Sequence, residues 1–114
     1  MTGKDRDLVY VRHILECLER VEQYSGGNSE RFFTDTMLQD AVLRVLQVMA
    51  ESCQRLSSEI KTAHEHIDWR GIAGFRNILV HDYLGVGGID LNLVWQVINQ
   101  ELPALKKALL HTKV

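Results

Sequence analysis

A chain of 114 residues, 46% hydrophobic and 25% charged, has apolar material for one core and too much of it for a disordered segment. Its net charge of −2 excludes the broadly basic surface of an indiscriminate nucleic-acid binder, so any contact with RNA or DNA must come from a local cluster. Cys17 and Cys53 lack a Cys-x-x-Cys spacing, which speaks against a zinc site or disulfide framework and for reduced thiols in a cytoplasmic protein. No apolar run of signal-peptide or membrane-span type follows the charged start, so neither a leader nor a membrane segment is expected.

The first predicted element is a helix over residues 4–24, where Leu8, Val11, Ile14, Leu15, Leu18 and Val21 recur at spacings of three and four. Ser25-Gly26-Gly27-Asn28-Ser29 ends it. A short segment with Phe32 and Phe33 follows, and Thr34, Asp35 or Thr36 is placed to cap a second helix; Thr36 with Gln39 resembles a capping box. Met37, Leu38, Ala41, Val42, Val45, Leu46, Met49, Cys53, Leu56 and Ile60 give that helix an apolar stripe wide enough for two neighbours, which predicts a central position.

Residues 62–67 read as a loop, and Asp68 as the cap of a third helix that begins at Trp69 and continues to about Tyr83. Gly85, Gly87 and Gly88 break the chain, and Asp90 caps a fourth helix through Leu91, Val94, Trp95, Val97 and Ile98. Pro103 lacks an N–H, so a kink or break is expected before a last helical piece over residues 104–110. No segment alternates as a strand does. The expected architecture is one all-α domain over residues 1–114, a four- to five-helix up-down bundle.

Chemistry concentrates on the third helix. At about 100° per residue, Ile72, Phe75, Ile78 and Leu79 fall within roughly one third of the circumference and face the core. Asn77 and His81 lie nearly opposite, and Arg76 shares a flank with Tyr83. Val80, apolar between these polar positions, suggests a surface for self-association. Arg76 and His81 stand about 7.5 Å apart along the axis and point roughly 140° apart; they meet only if the arginine reaches round or if two copies of the helix meet across a two-fold axis. From the residues alone, a structural ion pair and a satisfied histidine are the favoured reading of the two.

Other motifs are weaker. His64-x-His66 has no third metal ligand at a convincing spacing. Gly71-Ile72-Ala73-Gly74 matches Gly-x-x-Gly, but the sheet of a KH domain is not foreseen; two glycines in a helix cost about 1 kcal/mol each relative to alanine, with close packing of another helix as the expected compensation. Trp95 and Phe75 read as core.

Arg76, His81 and Tyr83 together match the Arg-x4-His-x-Tyr motif of HepT toxins in the HEPN superfamily, which this chain resembles over nearly its whole length. Asp68-Trp69-Arg70-Gly71-Ile72-Ala73-Gly74 before the motif, and Gly85-Val86, Val94-Trp95 and Leu102-Pro103 after it, fit the same pattern, as does Gln39-Asp40-Ala41-Val42. The resemblance implies the toxin of a type II toxin–antitoxin system: a metal-independent endoribonuclease without cofactor, cleaving RNA through 2′-OH attack to leave a 2′,3′-cyclic phosphate. It casts His81 as general acid or base, Arg76 as the group stabilising charge on the phosphate, and Asn77 as support. It also implies a homodimeric cleft, a higher assembly with a minimal nucleotidyltransferase antitoxin, and adenylylation of Tyr83 by that partner. The alternative is a non-catalytic dimeric HEPN module that binds the nucleotidyltransferase or a nucleotide.

Overall fold

A computed structural model describes residues 3–81 and 88–112. Among them all regular structure is helical, as the periodicities predict. Helix α1 (Gly3–Ser25) buries Val11, Ile14, Cys17, Leu18 and Val21, a stripe set by the 3.6-residue repeat. Gly26 and Gly27 follow with φ of 57° and 70°, left-handed values that glycine adopts without a Cβ clash.

Asn28 then starts a six-residue helix, α2 (Ser29–Thr34), by accepting from Arg31 N at 3.0 Å. The segment with the two phenylalanines is thus helical. Phe32 is fully buried and stacks on Trp95 at 5.1 Å between ring centroids.

Helix α3 (Thr36–Gln54) is capped by Asp35, whose carboxylate accepts from Leu38 N at 3.1 Å. The capping box expected of Thr36 and Gln39 is replaced, since Gln39 Nε2 donates instead to Phe32 O at 2.9 Å. As the wide stripe predicts, α3 is central, packing on α1 along one side and on the later site helix along the other. It is shorter than the apolar period implies. The chain breaks after Gln54, and a separate helix α4 (Ser58–Ala63) carries Ile60. Ser57 is the reason: its hydroxyl accepts from Ile60 N at 3.3 Å, while its N–H and O–H both go to Asp7 of α1. A long-range carboxylate thereby stabilises a cap where periodicity alone would continue the helix.

Helix α5 (Trp69–His81) follows the turn after α4. Asp90 accepts from Asn92 N and Leu93 N to start α6 (Leu91–Gln96), as expected. The chain then widens into a π turn over Val97–Glu101 and re-enters α7 (Leu102–Leu110). Pro103 therefore does not break the helix. Leu102 N–H bonds to Val97 O, five residues back, and Asn99 Nδ2 donates to Trp95 O at 2.8 Å. The wider turn accommodates the proline ring at the start of α7, where its missing N–H costs least.

The buried side chains of α1, α2, α3, α4, α5, α6 and α7 form one contiguous cluster. Each large aliphatic or aromatic side chain buried there contributes about 1.5–3 kcal/mol. Among the described residues no helix is long and apolar enough to cross a membrane.

Candidate functional site

The frame of the site is the anchoring of α5 at its N-terminus. Asp68 Oδ1 accepts from Gly71 N at 2.9 Å, the predicted cap. Trp69 Nε1 donates to Lys61 O and His64 O at 3.2 and 3.1 Å, tying the helix to the end of α4. The two glycines serve different purposes from the one foreseen. A Cβ on Gly71 would run into the Asp68 carboxylate, so this glycine makes room for the cap. At Gly74 a Cβ would meet nothing within 4 Å, so no neighbouring helix packs there.

Farther along, Phe75 and Leu79 are buried against the core, whereas Ile72 and Ile78 are only half-buried. Ile72, Phe75 and Ile78 line a largely apolar groove of about 420 Å³ that Leu93, Val97 and Leu105 close from the other side. Arg76 and His81 do not line it. Arg76 lies on a flank of α5 and His81 on its outer face, as the helical projection predicts.

Arg76 is half-buried and runs toward α3. Its Nε lies 3.7 Å from Glu51 Oε1, and its Nη1 donates to Asn77 Oδ1 at 3.3 Å. The Nε atom is shielded from solvent and makes no hydrogen bond. Glu51 Oε1 accepts from Gln47 Nε2, one turn earlier on α3, at 3.2 Å. Neither Glu51 nor Gln47 stands out in the sequence; the only signal is a polar pair four apart beside the buried Leu46 and Ala50.

Asn77 and His81 are exposed on the outer face and Val80 is half-buried. Among the described residues Asn77, one turn before His81, makes no hydrogen bond to its ring; the Asn77 carbonyl turns to Arg76 instead. Arg76 and His81 therefore lie on one helix without being brought together within the chain. Tyr83, and the break expected at Gly85 and Gly87, lie outside the described residues.

His64 and His66 pack edge to face at 5.9 Å, and His64 Nε2 is engaged by Thr112 Oγ1 at 2.8 Å. Among the described residues, no group of three or more His, Cys, Asp or Glu side chains is placed to hold a metal ion. Cys17 and Cys53 are both buried. Burial pushes the Cys53 thiol up to about 12 and raises that of Cys17 as well, which keeps both as thiols and poor nucleophiles.

A family model described as Ribonuclease HepT-like matches residues 14–111, which include the whole Arg76-to-Tyr83 motif. The chain is 39% identical over 103 residues to a Methanocaldococcus jannaschii protein named "Gamma-glutamylcyclotransferase and putative RNase"; the match takes in 90% of this chain but 45% of that longer relative. It is 35% identical to a "Putative RNase" of Caldanaerobacter subterraneus, over 86% of each chain. It is also similar to the "Probable ribonuclease HepT" of Thermococcus cleftensis, at 32% identity over 85% of this chain and 86% of the relative. No solved structure matches it. With a helical fold and a family match over most of its length, the chain belongs to the HepT-like ribonuclease family.

Proposed function

We propose that this chain is an endoribonuclease toxin that cleaves RNA by internal attack of a ribose 2′-OH. In that reaction the 2′-oxygen forms a bond to the adjacent phosphorus and the bond to the 5′-oxygen breaks, giving a 2′,3′-cyclic phosphate and a free 5′-OH. His81 takes the 2′-OH proton or delivers one to the leaving oxygen. Arg76 stabilises the extra negative charge on the phosphorane, for which its planar fork suits the phosphate oxygens. Asn77 supports the arginine through its carbonyl.

The observation that carries this reading is that one helix of a HepT-like ribonuclease carries a half-buried Arg76 bonded to Asn77 together with an exposed Asn77 and His81. Since Arg76 and His81 point to different flanks, a second copy completes the cleft across a two-fold axis, with Val80 in the contact. Two such copies concentrate cationic groups locally while the net charge of each stays slightly negative.

Tyr83 is the proposed target of a nucleotidyltransferase antitoxin. An adenylyl group there adds bulk and negative charge and opposes a phosphate backbone. ATP and magnesium belong to the partner's reaction. Induction of the lone chain should arrest growth in a cytoplasmic setting, and neither Arg76→Ala nor His81→Ala should do so while both remain folded. Arrest by all three would remove the catalytic assignment.

A second reading has one observation in its favour: Arg76 already approaches Glu51 and bonds Asn77, which suits an arginine held for structural reasons. In that case the chain is a dimeric module for a nucleotidyltransferase or a nucleotide. His81→Ala then leaves the phenotype unchanged.

A further inference from the structure

Arg76 is a long side chain with several rotatable bonds, yet one of its nitrogens is already bonded and a second is closed off from solvent. Nη1 donates to Asn77 Oδ1 at 3.3 Å. Nε is sealed from solvent without a hydrogen bond, and the nearest anionic oxygen, Glu51 Oε1, stands 3.7 Å away. A buried N–H without an acceptor is costly, and a carboxylate a few tenths of an ångström beyond bonding range is the group best placed to relieve it.

That same oxygen does not float. Gln47 Nε2 holds it at 3.2 Å from one turn earlier on α3. The central helix thus presents a fixed acceptor to the inner edge of the guanidinium, and Asn77 takes one corner of the outer edge. Among the described residues Nη2 is left without a hydrogen-bond partner. For a planar group, fixing Nε and Nη1 fixes the direction of the rest.

We propose that Glu51, held by Gln47, is the positioning residue for Arg76. It takes the Nε–H and turns the remaining N–H groups outward to a phosphate of the RNA. The assignment rests on the ribonuclease reading above and adds to it a residue on a different helix. A carboxylate near a phosphate repels it slightly, so Glu51 does not help RNA to bind. Its contribution is geometric and is realised when charge builds on the phosphorane.

The test uses the full chain and a mixed-sequence oligoribonucleotide as probe. Glu51→Ala should lower kcat about tenfold or more, because a misplacement near 1 Å can cost about 10²-fold, while KM stays within about threefold or falls. Glu51→Gln keeps an oxygen facing Nε and should restore most of the rate. In parallel, the Nε–Hε NMR cross-peak of Arg76, identified by its loss in Arg76→Lys, should shift in Glu51→Ala. An unchanged kcat in Glu51→Ala, or an unmoved cross-peak, overturns the proposal. So does a loss that Glu51→Gln fails to relieve and that follows thermal stability instead. If the wild type cleaves no RNA while the cross-peak still depends on Glu51, the ribonuclease reading is what fails and the orienting contact stands.

Discussion

Asp7 shows how a single buried carboxylate organises the fold around the site. It is 6% exposed and accepts two hydrogen bonds from Ser57, from the backbone N–H at 2.9 Å and from the hydroxyl at 2.6 Å. The hydroxyl in turn caps α4. Asp7→Ala removes both bonds, leaves the Ser57 N–H without its acceptor and frees the capping hydroxyl to rotate. Hydrogen bonds to a charged group are worth about 1.5–3 kcal/mol each, and water reaching the half-buried Ser57 offsets part of the two, so a total loss of about 2.5 kcal/mol is expected. An unfolding entropy of about 2.1 cal/mol/K per residue gives about 0.24 kcal/mol/K for this chain, hence a fall in Tm of about 10 °C. Asp7→Asn retains one acceptor and should lose about 1 kcal/mol. Urea and thermal unfolding followed by circular dichroism measure both. A loss below about 1 kcal/mol for Asp7→Ala would refute the idea that this contact ends α3 and starts α4.

Two further expectations follow from single atoms. Gly74→Ala should stabilise the protein by about 1 kcal/mol, since alanine is the better helix former and nothing lies within 4 Å of the new Cβ. Gly71→Ala should come out near neutral or negative, because the same gain is offset by displacing the Asp68 cap; equal effects in urea unfolding would contradict the assignment. Cys53, with its thiol raised to about 12 by burial, binds its proton more tightly folded than unfolded. Its contribution to stability is therefore complete below about pH 9 and is lost as pH rises towards 12, at up to about 1.4 kcal/mol per pH unit. Wild type should lose stability faster than Cys53→Ala across that window, and parallel curves would contradict the burial effect.

The elements that the sequence foretells best are those with a cap beside an uninterrupted period. Asp68 before Trp69 and Asp90 before Leu91 each mark a helix start, and both carboxylates make the expected bonds. The Arg76 flank and the outer Asn77/His81 face also follow from helical geometry alone. The break between α3 and α4 does not, because Leu56 and Ile60 continue the apolar period and the residue that favours the break, Asp7, is fifty positions away. Pro103 predicts a disturbance, but its form depends on how Leu102 and Asn99 find acceptors in the wider turn. Glu51 is hidden for a related reason: its meaning comes from the approach of α5, and nothing in its own neighbourhood distinguishes it from a solvated acid.

The central claim is that Arg76 and His81 form an RNA-cleaving site. Its most direct test is cleavage of RNA by purified, folded protein with Tyr83 verified as unmodified by mass spectrometry, comparing wild type with Arg76→Ala and His81→Ala and mapping the RNA ends. The prediction is cleavage by wild type leaving 2′,3′-cyclic phosphates, with losses of about 10²-fold or more in each variant. Cleavage at the wild-type rate by both folded variants, or no cleavage by the unmodified wild type, would contradict it.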